Sequence, residues 1–122
     1  MSSRIESYRD LLVWQHSVDL VVAVYSLTRA FPKEELFGLT SQVRRSATSI
    51  PANIAEGYGR QNTGSYRQFL KIAQGSLKEL ETHLIVAERV GLAAGDEIVP
   101  LLRRSDEIGK MLGQLIRKIG PE

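Results

Sequence analysis

Apolar residues recur at helical spacing along nearly the whole chain, and no stretch shows the strict alternation of a strand. The cleanest run is Tyr66, Leu70, Ala73, Leu77, Leu80, Leu84 and Ala87, with steps of 4, 3, 4, 3, 4 and 3. Such a seam keeps one helix face against a partner and predicts left-handed bundle packing. Ile98, Leu101, Ser105, Ile108, Leu112, Leu115 and Ile119 repeat the pattern near the end of the chain. Leu39, Val43, Ala47, Ile50 and Ile54 carry it across Pro51. Proline lacks an N–H, and its ring presses on the carbonyl of Ala47, so the expectation is one helix kinked at Pro51.

The first helix is less simple, because it carries two stripes. Leu11, Trp14, Val18, Val21 and Tyr25 form one, and Leu20, Val24, Leu27 and Phe31 form another, displaced around the axis. A bundle helix in a monomer needs one apolar face. The second stripe (Leu20, Val24, Leu27, Phe31) is therefore read as a self-association surface, in preference to a single core face widened by Val22 and Val24.

Boundary signals divide the chain into helices at about 11–30, 38–57, 64–90 and 97–119. Asp10, Thr63 and Asp96 are the candidate N-caps, and Pro100 is tolerated in a first turn. Gly57 and Gly59 are read as a stop tolerant of positive φ, and Gly91 as the end of the third helix. Gly75 and Ser76 predict close contact with a neighbouring helix. Asn53, at the edge of the second seam, needs a partner, for which the carbonyl freed by Pro51 is the candidate. Short linkers between four amphipathic helices predict an all-α, up-down-up-down antiparallel bundle in a single domain, residues 1–122.

Composition narrows the chemistry. The absence of cysteine removes disulfides, thiolate metal sites and a thiol nucleophile. The opening residues are polar and include acids, unlike a secretory signal, and the apolar stretch from 11 to 31 is interrupted by Gln15, His16, Asp19, Ser26 and Arg29. A cytoplasmic protein without a membrane span is the expectation. No inward-facing Glu-x-x-His pairs are present for a carboxylate-bridged metal, and Glu79 with His83 lies off the seam. His16 is opposite the Leu11 stripe. Neither histidine has a sequence context that pairs it with serine and aspartate, and no phosphate-cradling glycine loop precedes a helix. The expectation is a protein that is not an enzyme and has no metal or cofactor.

Charge points elsewhere. The net +2 is small but uneven: residues 37–62 hold three bases (Arg44, Arg45, Arg60) against Glu56, whereas residues 1–36 hold four bases against five acids. Arg67, Lys71 and Lys78 follow on the third helix, with Lys71 and Lys78 one heptad apart, and Arg103 and Arg104 sit early on the fourth. Arg44, Arg45, Arg60, Arg67, Lys71 and Lys78 are the candidate nucleic-acid contacts, against the alternative that each is a solvated charge beside Glu79, Glu81, Asp106 or Glu107. A protein-interaction scaffold without nucleic acid is the competing function.

Four segments carry a resemblance: Tyr8 to Gln15 (YRDLLVWQ), Phe31 to Gln42 (FPKEELFGLTSQ), Ser49 to Gly57 (SIPANIAEG) and Ala73 to Leu84 (AQGSLKELETHL). Pro51, Asn53, Glu56 and Gly57 stand in the most specific of them. The chain resembles the small four-helix-bundle proteins found as reading frames inside intervening sequences of bacterial 23S ribosomal RNA genes, relatives of the accessory variability protein of diversity-generating retroelements. His16, Ser17 and His83 depart from that pattern. The resemblance implies a homo-oligomer, a barrel-like pentamer by analogy with the retroelement relatives, whose basic surface engages RNA or DNA and a reverse transcriptase.

Overall fold

The computed structural model describes residues 4–120, and four helices account for most of them. They are α1 (Leu12–Thr28), α2 (Leu39–Gly59), α3 (Thr63–Arg89) and α4 (Gly95–Ile119). Each packs against its neighbours in the order α1, α2, α3, α4 and back to α1, so the four axes form a square with alternating directions. The all-α four-helix bundle expected from periodicity is the fold observed. Among the described residues no helix is long and apolar enough to cross a membrane.

The chain enters through a short 3₁₀ turn, Tyr8–Asp10. Asp10 does not cap α1. Its carboxylate turns back to accept from the N–H groups of Glu6 and Ser7, at 2.9 and 3.1 Å. Tyr8 then lies edge-on against Trp14, ring centroids 5.2 Å apart, and closes the N-terminal end of α1.

In α1 the roles of the two stripes are the reverse of those expected. Leu20 and Val24 are 0% exposed and Phe31 is buried with them in the subunit's own core. Leu27 is half-buried against that core. The assignment of Leu20, Val24, Leu27 and Phe31 to a self-association surface is therefore corrected, because their apolar area is already spent inside the bundle. The true core stripe is Val13, Ser17, Leu20, Val24, Thr28 and Phe31. Two of its members are polar. They are tolerated because each hydroxyl donates back along the helix, Ser17 Oγ to the Val13 carbonyl at 2.6 Å and Thr28 Oγ1 to that of Val24 at 2.9 Å. Of the other stripe, Leu11, Trp14, Val18 and Val21 are half-buried and Tyr25 is exposed beneath Arg44 of α2.

Helix α2 runs without interruption through Pro51. Glu35 supplies the acid expected at its start, its Oε1 accepting from the Leu39 N–H at 3.2 Å. Asn53 finds a partner other than the one expected. Its Nδ2 donates to the Ser49 carbonyl and to Ser49 Oγ, at 2.7 and 2.9 Å, not to Ala47.

Glycines are used differently from the expectation. Gly57 is buried within the last turns of α2, where a β-carbon would lie 2.7 Å from Phe69 Cβ and 3.2 Å from Tyr66 Cδ1. Its function is close approach of α3, and the positive φ in the following turn belongs to Gln61, at 55°. Of the pair Gly75 and Ser76, Ser76 makes the predicted helix contact, its Oγ 2.8 Å from Ser49 Oγ on α2, whereas a β-carbon at Gly75 would meet nothing within 4 Å. Gly91 does end α3 as expected: with φ at 86°, it lets the Leu92 N–H return to the Ala87 carbonyl at 2.9 Å.

The α3 seam from Leu70 to Ala87 is buried throughout, and Tyr66 is half-buried at its foot. Asn62, not Thr63, caps α3 by accepting from the Ser65 N–H at 2.9 Å. In α4 the buried set is Ile98, Leu101, Ser105, Ile108, Leu112 and Ile116, so the seam steps from Leu112 to Ile116 and leaves Leu115 and Ile119 at its edge. A straight helix of about 3.6 residues per turn drifts away from a strict heptad, which accounts for the shift. Asp96 lies inside α4, and Glu97 reaches back to the Ala94 N–H at 3.0 Å.

Candidate nucleic-acid interface

The six bases singled out by sequence separate into two groups and a lone residue, Arg45. Arg44, Arg60 and Arg67 are engaged in holding the bundle together. The Arg44 guanidinium lies over the Tyr25 ring, 4.5 Å from its centroid, and its Nε donates to Thr28 Oγ1 at 2.9 Å, tying α2 to α1. Arg60 pairs with Glu56 at 2.9 Å and covers the Phe69 ring at 5.0 Å. Arg67 uses one Nη1 to donate to the carbonyls of Ile116 and Gly120, both at 2.9 Å, and so caps the C-terminus of α4. A guanidinium at that helix end also opposes the negative pole of the dipole.

Lys71 and Lys78 form the second group. Both are exposed and line one groove between α3 and α4, of about 720 Å³. The opposite wall supplies Lys110 and Arg117, which the sequence reading missed. They too are one heptad apart, so each wall presents two cations about 10.5 Å apart along its helix. That spacing, together with the adjacent glycines at 109 and 113, was the signal available. Gly75, Gly109 and Gly113 line the same groove and hold it open. A β-carbon at Gly109 would come within 3.3 Å of Leu77 Cδ2, and one at Gly113 within 3.4 Å of Arg117 Nη1.

Two carboxylates temper the four cations. Asp106 lines the groove and lies 3.4 Å from Lys110, and Glu81 lies 3.3 Å from Lys78. Glu81 also accepts from Ser105 Oγ, which fixes it to α4. The Lys110 and Lys78 pairs have solvated ammonium groups, and such pairs contribute at most about 1 kcal/mol.

Arg45 is exposed on another face, lining a polar recess of about 430 Å³ with Gln42, Ser46, Ser49 and Glu79. Arg103 lies on the outer side of α4, and Arg104 shares a cleft between α1 and α4 with His16, Asp19 and Glu107, so acids balance it. The six bases and the arginine pair therefore do not form one continuous surface. Only Lys71 and Lys78 of the original six converge with other cations.

His83 corrects the expectation that both Glu79 and His83 stand clear of the packing. Its Nδ1 lies 3.4 Å from Ser46 Oγ and its Nε2 3.9 Å from Glu79 Oε2, which places serine, histidine and carboxylate in a line. Ser46 is 3% exposed, and its hydroxyl is within 3.0 Å of the Gln42 and Val43 carbonyls of its own helix. The line of groups ties α2 to α3. Among the described residues no three of His, Cys, Asp or Glu gather where a metal ion could be held.

Comparisons with known proteins agree with the four-helix fold. The family model described as 23S rRNA-intervening sequence protein matches residues 9–114. A crystal structure of a protein with unknown function from the S23 ribosomal protein family of Bacteroides thetaiotaomicron VPI-5482 shares the fold with a TM-score of 0.81. Identity is 28%, over 87% of this chain and 96% of that one. No curated protein matches the sequence.

Proposed function

This chain belongs to the 23S rRNA-intervening sequence protein family, and we propose that it is a non-enzymatic, homo-oligomeric bundle of the cytoplasm that contacts the phosphate backbone of nucleic acid. The observation that carries the reading is the quartet Lys71, Lys78, Lys110 and Arg117 around one open groove. Four cations displacing condensed counterions give a salt slope of up to roughly −3.6 on B-DNA. Repetition of the groove around a symmetry axis would multiply a weak site into useful avidity. Support for self-association comes from apolar side chains left on the surface, Leu12 at 62% and Val22 at 63% exposed on α1. They replace the buried Leu20 stripe as the candidate contact, and the pentamer remains an analogy with the retroelement relatives, as does a reverse-transcriptase partner.

The experiment is anisotropy titration of labelled nucleic acid across a salt series. Lys71→Glu with Lys78→Glu should lower affinity at least tenfold and flatten the slope by about 1.8, two cations at roughly 0.9 each. Salt-insensitive binding, or binding untouched by this pair, would remove the proposal. Light scattering of Leu12→Glu/Val22→Glu tests assembly, and an unchanged mass that already equals one subunit would reject it.

One observation favours a second reading, a protein-interaction scaffold. Phe37, in the connection before α2, is 94% exposed beside the half-exposed Leu36. An aromatic ring in water at the end of a bundle fits a protein contact better than a phosphate contact.

A further inference from the structure

Resting on the nucleic-acid reading above, we propose that the α3–α4 groove takes the backbone of a double helix in preference to a single strand. Three features of the groove lead there. Among the described residues no aromatic side chain lines it. Proteins that hold single strands stack bases on aromatic rings, and without a ring the unpaired bases gain nothing from the site. Six of the eight rings are engaged elsewhere, Tyr8 against Trp14, Tyr25 beneath Arg44, and Tyr58 against Tyr66 beside the Arg60–Phe69 pair, and the exposed Phe37 lies in the connection before α2, outside the groove.

The second feature is charge density. A heptad on each wall spans about 10.5 Å, and the two walls are separated by a helix-packing distance of about 8–10 Å. A duplex carries one negative charge per ~1.7 Å of its axis, against ~3.4 Å for one of its strands. Over about 10.5 Å a duplex therefore presents roughly six phosphate charges and one strand about three, so the field that attracts the quartet is denser at a duplex. The third feature is the chemistry between the cations. Gln74 and Gln114 face the groove with amide groups able to donate to phosphate and sugar oxygens, and Leu77 is its apolar floor. Contacts of this kind position a backbone and carry no base sequence. Both walls are long unbroken helices, so the site is formed in advance and suits a stiff ligand.

The test uses the full chain and four probes of about 20 nucleotides: duplex RNA, duplex DNA, and a single strand from each. Anisotropy at low salt should show at least one duplex bound tenfold or more tightly than its own strand. Which duplex binds identifies the source of the backbone. Two variants locate the site. Lys71→Gln/Lys78→Gln should weaken the duplex at least fivefold. Gly75→Leu should weaken it without any change of charge, because a side chain there meets open space and fills the groove. Circular dichroism confirms that both variants retain the helical fold. Single strands bound as tightly as duplexes, with the lysine effect intact, would overturn this inference and leave the nucleic-acid reading standing. Duplex binding that both variants leave unchanged would overturn the assignment to this groove. No binding by any probe would overturn the nucleic-acid reading and this inference with it.

Discussion

The α2–α3 seam and the α3–α4 seam share a helix, yet one is closed and the other open. On the α2 side, Gly57 lets the backbone approach until Phe69 and Tyr66 fill the space, and Ser76, Ser49 and Asn53 form a chain of hydrogen bonds across the contact. On the α4 side, Gly75, Gly109 and Gly113 also lack side chains, but lysines and an arginine border the space they leave. Glycine alone therefore does not determine how tightly two helices pack. What faces it does: an aromatic ring closes the gap, and a ring of cations keeps it wet.

Four changes would break or sharpen this contrast. Gly57→Ala puts a β-carbon 2.7 Å from a carbon anchored to the α3 backbone, so a loss of about 2–3 kcal/mol is expected in urea unfolding. A loss below the scatter of the measurement would mean that the seam is looser than it looks. Ser49→Ala removes the hydroxyl shared by Ser76 and Asn53 and should cost about 1–2 kcal/mol. The same denaturation curve checks it, and a double change with Ser76→Ala should fall short of the sum of the singles. On the open side the sign reverses. Gly75→Ala sits in an exposed helix interior with nothing to clash, and should raise stability by up to about 1 kcal/mol.

The smallest effect concerns pH. Burial, and then the neighbouring Tyr58, push the Tyr66 phenol up to about 12 from its ordinary 10. The folded state then holds this proton more tightly than the unfolded chain does. Its contribution to stability is complete below pH 10 and is lost as pH rises toward 12. Urea midpoints should fall as pH rises from 10 toward about 12, and Tyr66→Phe should remove part of that fall. Tyr66 does not line the α3–α4 groove, so substitutions of Lys71 or Lys78 should leave its contribution unchanged.

The bundle was legible because its α3 and α4 seams repeat with a regularity that few other arrangements require. The α1 stripes were misread because hydropathy counts Ser17 and Thr28 as polar. Back-donation to their own helix hides both hydroxyls, and the stripe they interrupt is the core. The candidate interface was only half legible. A basic residue in sequence carries the same charge whether its guanidinium covers Tyr25, as Arg44 does, or faces water, as Lys71 does. Lys110 and Arg117 became visible once α4 was set beside α3, since heptad spacing on two helices acquires meaning only when their register is known. Gly57 was noticed as a helix stop. Its closeness to Phe69 depends on a helix that begins after the next turn.

Trp14, the lone tryptophan, leans on Tyr8 at the flank where α1 meets α2, across the square from the α3–α4 groove. The molecule thus carries an intrinsic fluorophore remote from its charged channel. Its emission reports unfolding at one corner while a labelled oligonucleotide reports occupancy at the other, and the two signals can be recorded on one sample without cross-talk.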